Sequence, residues 1–374
     1  MRALHTIITA CLVFSQQVFL NSDSPFEGSQ GYVNSKNTVK IGLLIQNKNS
    51  LAAKNGAELA IIDANKRDDK GIKFELVVRS MEGPWGTGSK QAVNLVFDEE
   101  VVAMLGSHDG RNAHLVEQVS AKSRVVFLSA WSGDPTLSQA FVPWFFNCVS
   151  NDLQQADALF EEICNKRKIN TIAVVSDKGY DSQSALRSFL NRFVKEGKPE
   201  PLQFSLDSTG KNINDLTEKV LTADPDCVVL FLQPPASAII AEQMNLNHLN
   251  RPVFGSMALL NEDFISGKDQ DEYKNVIIVS SIKMSGEKGI VFSSEYKEKY
   301  GRLPGTVAAY AYDGMNILIE AIREAGTERE NIQKAMAAIK YEGVTGTIQF
   351  DEKGNRKGTP GFVVIKNGIP VSVK

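Results

Sequence analysis

An apolar run, VKIGLLI (residues 39–45), is followed by a helix-like stretch, 53–65, and by a second run, KFELVVR (73–79). Similar β-branched runs recur at 101–105 and 124–128, and the rhythm repeats with runs at 171–176, 201–206, 226–232 and 252–255. Further helix-like stretches lie at 111–122, 153–166, 183–195 and 213–222. Strands that are apolar almost throughout and alternate with helices predict parallel sheets covered by helices on both faces.

The two sets of runs predict two lobes, since 374 residues exceed one average domain. Pro and Trp residues interrupt the pattern at 129–151, where the chain is expected to cross between lobes. After a strand at 276–281, a helix-rich stretch and two short strands (346–350 and 361–366) predict a return to lobe 1 and a second crossing. The predicted fold class is α/β: two Rossmann-like lobes with parallel sheets, joined by a multi-strand hinge. The predicted boundaries are 39–146 plus 283–342 for lobe 1 and 147–282 plus 343–374 for lobe 2.

Composition is that of an ordinary globular chain, with 43% hydrophobic and 23% charged residues. The formal net charge is -3, from 41 Lys and Arg against 44 Asp and Glu. Without a dense basic block to follow a phosphate backbone, nucleic acid is not expected as a partner.

The N-terminus predicts export. Met1 and Arg2 supply a positive start and residues 4–14 a short apolar run, so residues 1–15 are interpreted as a signal peptide and 16–38 as a flexible polar linker. The expected location is the periplasm. An alternative is a lipoprotein box that would leave Cys11 lipidated and the protein membrane-anchored. The other three cysteines are widely spaced and predict neither a disulfide framework nor a metal motif, and Cys227 is expected to be a buried apolar side chain.

Ligands of open parallel sheets bind outside the carboxyl ends of the strands. This rule selects the loops 46–50, 107–112 and 129–134 in lobe 1 and 177–182, 233–237 and 256–259 in lobe 2. The first candidate site is the loop that contains Asp109, Gly110 and Arg111, because it enters a helix whose free amides and dipole favour an anion such as a carboxylate.

The next loop offers hydroxyls, an aromatic wall and a carboxylate for a cationic group, from Ser129, Ser132, Trp131 and Asp134. Each has a structural alternative. Asp134 precedes a proline and would begin a turn, the two serines would cap one, and Trp131 would pack in the core.

Other motifs in the sequence are weaker evidence for a function. The stretch GPWGTGSK (83–90) resembles a phosphate-binding loop, but its last two residues are in reverse order, so Lys does not follow the final Gly. It is interpreted as a loop beside the ligand, with Trp85 as a lid or wall. His108 and His114 do not share a helical face as metal ligands would, and no catalytic set is recognisable. Neither a metal nor a cofactor is expected.

The chain resembles the periplasmic binding proteins of the leucine/isoleucine/valine type, which capture substrates for ABC importers. The resemblance runs from about Val39 to the C-terminus. It is carried by the order and spacing of several segments: 39–44, 56–60, Asn65, 71–72, 91–93, 105–106, Gln155, 311–313, 343–346, 350–351 and Gly354. It implies a Venus-flytrap fold with a cleft between the lobes and no catalytic machinery.

The resemblance also places residues in the site and marks departures from it. Gly110 stands where amino-acid-binding members carry a Ser, and Gly133 where they carry a Thr, which weakens a carboxylate clamp. Met257 aligns with the acidic residue that holds the ligand ammonium. Tyr180 keeps an aromatic of lobe 2, whereas Gln233 stands where other aromatics are usual. A standard branched-chain amino acid is therefore not the expected ligand.

The expected function is the solute-binding component of an ABC-type importer. It would act as a monomer, capturing a small polar ligand such as an amino acid or amide and delivering it to a membrane permease. An extracytoplasmic sensor that passes lobe closure to a signalling partner would share these residues. A phosphate-handling enzyme is a third alternative, and it would turn its ligand over.

Overall fold

Two parallel sheets form the centres of two lobes. The computed structural model describes residues 38–67, 71–247, 251–264, 273–284, 286–366 and 369–373. The predicted signal peptide, Cys11 and all of the predicted linker except Thr38 lie outside these residues.

The sheet of lobe 1 has five parallel strands in the order β2-β1-β3-β4-β5. They are β1 (Thr38–Ile45), β2 (Lys73–Ser80), β3 (Ala103–Ser107), β4 (Val126–Ser129) and β5 (Phe145–Asn147). Its helices from the N-terminal half are α1 (Leu51–Arg67), α2 (Thr87–Phe97), α3 (Gly110–Ser123) and α4 (Thr136–Gln139). All five residues of β3 and all four of β4 are buried, as expected for strands covered on both faces.

Lobe 2 begins with α5 (Asp152–Phe160), which continues as a π-helical turn through Glu161–Lys166. Its parallel strands are β6 (Ile172–Ser176), β7 (Leu202–Ser205), β8 (Cys227–Phe231), β9 (Val253–Gly255) and β10 (Val276–Ser280). Between them lie α6 (Tyr180–Lys195), α7 (Ile213–Thr222), α8 (Ala236–Leu246) and a 3-10 turn, Met257–Leu260. Cys227 is fully buried, which confirms its predicted place in the core.

The C-terminal third serves both lobes. Helices α9 (Glu287–Tyr300), α10 (Thr306–Ala325) and α11 (Arg329–Ala338) pack on lobe 1, where α9 and α10 contact α1 and α11 contacts β4. A hairpin follows, β11 (Lys340–Gly343) with β12 (Gly346–Gln349). The last strands, β13 (Gly361–Lys366) and β14 (Ile369–Val373), join the lobe 2 sheet antiparallel, giving the order β14-β13-β10-β9-β8-β6-β7.

The chain crosses between the lobes at 147–152, 280–287 and 350–361, and these segments bond to one another. The Asn147 amide donates to the Gly354 carbonyl at 2.8 Å, and the hydroxyls of Ser150 and Ser281 lie 2.8 Å apart. Gly354 has φ +79°, and a Cβ there would lie 2.1 Å from the Phe145 carbonyl oxygen. Only glycine fits at this position, because a side chain would clash with the Phe145 carbonyl. The crossing segments are therefore closely packed at this point of the hinge.

The eleven strands predicted from apolar runs all begin and end within two residues of strands in the structure. Three strands were not predicted: β5, β11 and β14. The first is three residues long in a Pro- and Trp-containing stretch, and the other two are short strands at a hairpin and at a sheet edge, where the pattern carries little signal.

Candidate functional site

The carboxyl ends of the two sheets face each other across a cleft of about 630 Å³. From lobe 1 it is lined by loops after β1, β3 and β4, and from lobe 2 by loops after β6, β7, β8 and β9. The predicted residues that line it are Asp109, Arg111, Trp131, Tyr180 and Gln233. The lining is mostly polar side chains, so the cleft is suited to a ligand that exchanges its water for hydrogen bonds.

The loop after β3 is held by Asp109, the N-cap residue of α3. Its Oδ1 accepts from the Asn112 amide at 2.7 Å, and its Oδ2 accepts from Gln46 Nε2 at 2.9 Å. The Asp109 amide in turn donates to Gln46 Oε1 at 2.9 Å. The Gly110 amide donates to Oδ1 of Asp181 from lobe 2, at 2.9 Å. Two of the amides predicted to be free for a ligand anion are therefore bound by carboxylates of the protein.

Gly110 lies where the lobes come closest. A Cβ at this position would be 2.7 Å from the Asp134 Cβ and 3.1 Å from Asp181 Oδ1. Because real Cβ atoms do not approach other atoms that closely, the absence of a side chain is what lets α3 meet lobe 2 here.

The loop after β4 is buried and bonded to itself. The Ser129 hydroxyl accepts from the Ser132 amide at 3.2 Å, and the Ser132 hydroxyl accepts from the Asp134 amide at 3.3 Å. Both serines are 1% exposed and neither lines the cleft, so they shape the turn. Trp131 is 7% exposed and presents its ring to the cleft.

Asp134 joins the lobes rather than lining the cleft. Its Oδ2 accepts from the Tyr180 hydroxyl of lobe 2 at 2.7 Å and lies 3.1 Å from His114 Nε2. The bond to Asp134, then that to Glu117, raises the pKa of His114 to about 9. Burial raises the pKa of Asp134, but the bonds with His114, Thr136 and Tyr180 outweigh it and hold that pKa well below its usual range. The ion pair of His114 with Asp134 is therefore linked to lobe 2 by the hydrogen bond from the Tyr180 hydroxyl.

Behind Trp131 the cleft continues into an inner pocket of about 30 Å³. Two carboxylates line it, Asp152 from α5 and Asp181 from α6. Burial raises the pKa of Asp152 well above its usual range, and burial, opposed by the Gly110 amide, raises that of Asp181 to about 7. Asp181 lies in the selected loop 177–182 but was not singled out, and Asp152 was not predicted, because an acidic residue in the first turn of a helix is ordinary there.

The remaining predicted residues lie at the edges of the cleft or in the inner pocket. Met257 is buried, lines the inner pocket, and donates its amide to Gln155 Oε1 at 3.0 Å. Gln233 lines both the cleft and the inner pocket. Trp85 is 75% exposed and lines an outer groove that shares Asp109 and Arg111 with the cleft.

Over the described ranges, no group of three or more His, Cys, Asp or Glu side chains is placed to hold a metal ion. Nor does any helix within those ranges have the length and apolarity needed to cross a membrane.

Two α/β lobes, three hinge segments and a polar cleft at facing strand ends define a ligand-binding protein of the Venus-flytrap class. The family model for periplasmic binding proteins matches residues 38–365, and the chain belongs to that family.

Solved structures share the fold at low sequence identity. A branched-chain amino acid transporter substrate-binding protein from Streptococcus pneumoniae, in complex with isoleucine, superposes with a TM-score of 0.78 at 20% identity, covering 90% of this chain and 100% of that one. An ABC transporter solute-binding protein from R. palustris, in complex with benzoate, gives 0.76 at 15% identity, covering 90% and 95%. The fold is that of ABC transporter substrate-binding proteins.

Curated relatives fall into two groups. A leucine-, isoleucine-, valine-, threonine- and alanine-binding protein from Pseudomonas aeruginosa is 22% identical over 309 residues, 81% of each chain. Glutamate receptor 3.4 from Arabidopsis thaliana is 22% identical over 351 residues, 82% of this chain and 36% of the receptor. The chain thus spans about a third of the length of that receptor.

Proposed function

We propose that this protein is the solute-binding component of an ABC-type importer, which captures a small polar ligand between its lobes and presents the closed form to a membrane permease. The observation that carries the proposal is the 630 Å³ cleft, which is lined by both lobes at the carboxyl ends of their strands. Family membership supports an extracytoplasmic location. We propose export by the predicted signal peptide, monomeric action and no catalysis.

The mechanism is lobe closure around the ligand. A ligand that contacts both lobes binds the closed state more tightly than the open one, and this difference in affinity drives closure. Moving a mostly open population to a mostly closed one takes roughly 5.5 kcal/mol. The lobes also contact each other directly, since the Gly110 amide donates to Asp181 and the Tyr180 hydroxyl donates to Asp134, and a ligand would add its own contacts to these in the closed state.

Proposed ligand contacts are Trp131 and Gln233 at the back of the cleft, Asp109, Arg111 and Tyr180 along its walls, and Met257 at the inner pocket. Gly110 allows the close approach of the lobes. Trp85 is proposed as a lid over the outer groove. Ser129, Ser132 and Asp134 are proposed to act indirectly, by holding the loop that carries Trp131.

A sensor is the second candidate, favoured by the match of 82% of this chain to a plant receptor. In that case the closed form would be read by a signalling partner instead of a permease. Co-purification of the exported protein with its membrane partner separates the two.

The proposal is tested by intrinsic fluorescence during titration with amino acids, amides, aromatic acids and amines. Closure changes the surroundings of Trp131, so a bound compound should alter the emission of the wild type and of Trp144→Phe, a matched control whose tryptophan lies outside the cleft. Trp131→Phe should lose most of the signal. Recovery of the compound unchanged after long incubation would exclude turnover. If a compound binds but small-angle scattering shows no compaction of the protein, the closure mechanism is contradicted.

A further inference from the structure

Acidic side chains dominate the lining of the cleft. Five carboxylates face two cationic side chains there: Asp109, Asp177, Asp181, Asp207 and Asp263 against Arg111 and Lys178. The one histidine of the lining does not alter this balance, because burial lowers the pKa of His108 and leaves it neutral. A cleft with this excess of negative charge favours a cation over an anion.

The helix N-termini that could anchor a ligand carboxylate are taken by the protein itself. Three helices of lobe 1 begin beside the cleft, and each receives a carboxylate from lobe 2. At α1 the Ala52 amide donates to Asp263 Oδ1 at 2.9 Å, and at α3 the Gly110 amide donates to Asp181. At α10 two amides donate to the oxygens of Glu262, both at 2.8 Å. A ligand carboxylate would have to displace one of these side chains and enter a field of like charge.

The inner pocket holds two carboxylates that have no cationic side chain in direct contact among the described residues. Asp152 is 7% exposed, and its Oδ1 lies 3.5 Å from the uncharged amide of Gln155. The Ser184 hydroxyl is its other partner, and the charge of Asp181 raises the Asp152 pKa further. Within the described part of the chain, neither carboxylate forms an ion pair, although the charge of Arg111 lowers the Asp181 pKa from beyond 4 Å. Two buried carboxylates that line one small pocket are costly, and either protonation or a bound cation relieves the cost.

We propose that the ligand of this cleft is an organic cation without a carboxylate, whose primary ammonium group sits in the inner pocket between Asp152 and Asp181, behind Trp131. The inference rests on the proposed function and specifies its ligand class. The pocket volume of about 30 Å³ is enough for a group the size of a water molecule, such as an ammonium group. The indole of Trp131 supplies the aromatic face that cations prefer.

The size of the main cleft fits the rest of such a molecule. At about 630 Å³ it has room for an alkyl or aryl chain beyond the ammonium group, and its outer carboxylates, Asp177 and Asp207, could meet a second amine. The described geometry therefore favours monoamines and diamines over amino acids.

The sharpest test compares molecules that differ only by a carboxylate. Isothermal titration calorimetry with the wild-type protein would use three pairs: 3-methylbutylamine with leucine, cadaverine with lysine, and agmatine with arginine. In at least one pair we expect the amine to bind tenfold or more tightly than its amino acid, about 1.4 kcal/mol. Agmatine can place its primary amine in the inner pocket. It should therefore bind more tightly than an alkylguanidine of the same chain length that lacks the primary amine.

Two variants and a control locate the contact. Asp152→Asn and Asp181→Asn keep the side-chain shape and remove the charge, and each should weaken the amine roughly 10- to 100-fold. Asp157→Asn is the matched control, because Asp157 lies on the same helix as Asp152 but has a side chain 63% exposed to solvent. It should bind as the wild type does. Circular dichroism would confirm that the variants fold, and if Asp152→Asn does not fold, Asp181→Asn still decides.

The outcomes separate this inference from the proposed function. If an amino acid or an aromatic acid binds more tightly than every amine and closes the lobes, the cation is refuted and the solute-binding function stands. The same follows if the amine binds but is unaffected by both Asn variants. If no compound of the library binds at concentrations up to about 10 mM, any dissociation constant would be too weak for ligand capture, and both proposals fail.

Discussion

Replacement of Tyr180 by Phe isolates one contact between the lobes. The Tyr180 hydroxyl donates to Asp134 Oδ2 at 2.7 Å, and it stays protonated because burial and the bond to Asp134 raise its pKa to about 12. A hydrogen bond to a charged group contributes about 1.5–3 kcal/mol. Since Tyr180 is 38% exposed and solvent screens the bond, we discount this to about 1–1.5 kcal/mol.

The loss should appear in binding and not in folding. Asp134 keeps its bonds to His114 and Thr136, so Tyr180→Phe leaves no buried charge without a partner. The contact exists only when the lobes meet, and the closed state alone is destabilised. The dissociation constant of the tightest compound from the screen should therefore rise roughly 5- to 13-fold, mainly through faster release. The free energy of unfolding of the unliganded protein should not change.

Titration calorimetry and stopped-flow fluorescence measure these effects, with Tyr300→Phe as the control. Tyr300 also donates its hydroxyl, to the Asn55 carbonyl at 3.1 Å, but does so within lobe 1. An unchanged affinity in Tyr180→Phe, or an equal loss in the control, would refute the assignment of the Asp134 bond to closure.

Three further predictions follow from the contacts of the lobes and the hinge. The closed-state pKa of Asp181, about 7, lies above its ordinary value of 3.8, so its contribution to closure is complete below about pH 4 and is lost as pH rises to 7; affinity for an uncharged ligand, measured by calorimetry, should fall between about pH 4 and 7, level off above pH 7, and show no such fall in Asp181→Asn. Gly110→Ala, which places a methyl group 2.7 Å from the Asp134 Cβ of lobe 1 and 3.1 Å from Asp181 Oδ1 of lobe 2, should weaken binding more than tenfold and also lower the free energy of unfolding in urea; retained affinity would show that the lobes close differently. Asp313→Ala should lower the free energy of unfolding by about 3–5 kcal/mol in urea, because Asp313 is fully buried and accepts from the Thr345 amide and hydroxyl at 2.7 and 2.6 Å; a loss below about 1 kcal/mol would contradict that role.

The sequence predicts the two sheets well because their strands are apolar on both faces. A run such as VKIGLLI leaves little choice of structure, and it becomes β1 with its last five residues buried. The loops at the strand ends follow from the same reasoning, since parallel strands fix which edge carries the ligand. Asp109 and Trp131 were found in this way, and both line the cleft.

The same reasoning could not single out the carboxylates near the lobe boundary. Asp181 lies in a selected loop, but there, as with Asp152 and Glu262, it appears as an ordinary acidic residue of a helix start or a loop. Their environment depends on how one lobe faces the other, which no local pattern encodes. Asp181 contacts Gly110, 71 residues away, and Glu262 contacts α10 more than 40 residues later.

Burial of these carboxylates explains how a ligand charge would couple to motion. When the lobes are apart, Asp181 is near water and ionises at its ordinary pKa. Closure removes the water and raises the Asp181 pKa to about 7, which at neutral pH opposes closure. The effective penalty for burying an uncompensated ion is several kcal/mol, of the same order as the roughly 5.5 kcal/mol needed to shift the population. A bound ammonium group would remove that penalty in the closed state only. Differential affinity would then arise from charge neutralisation, and a neutral molecule of the same shape would favour closure less strongly at neutral pH.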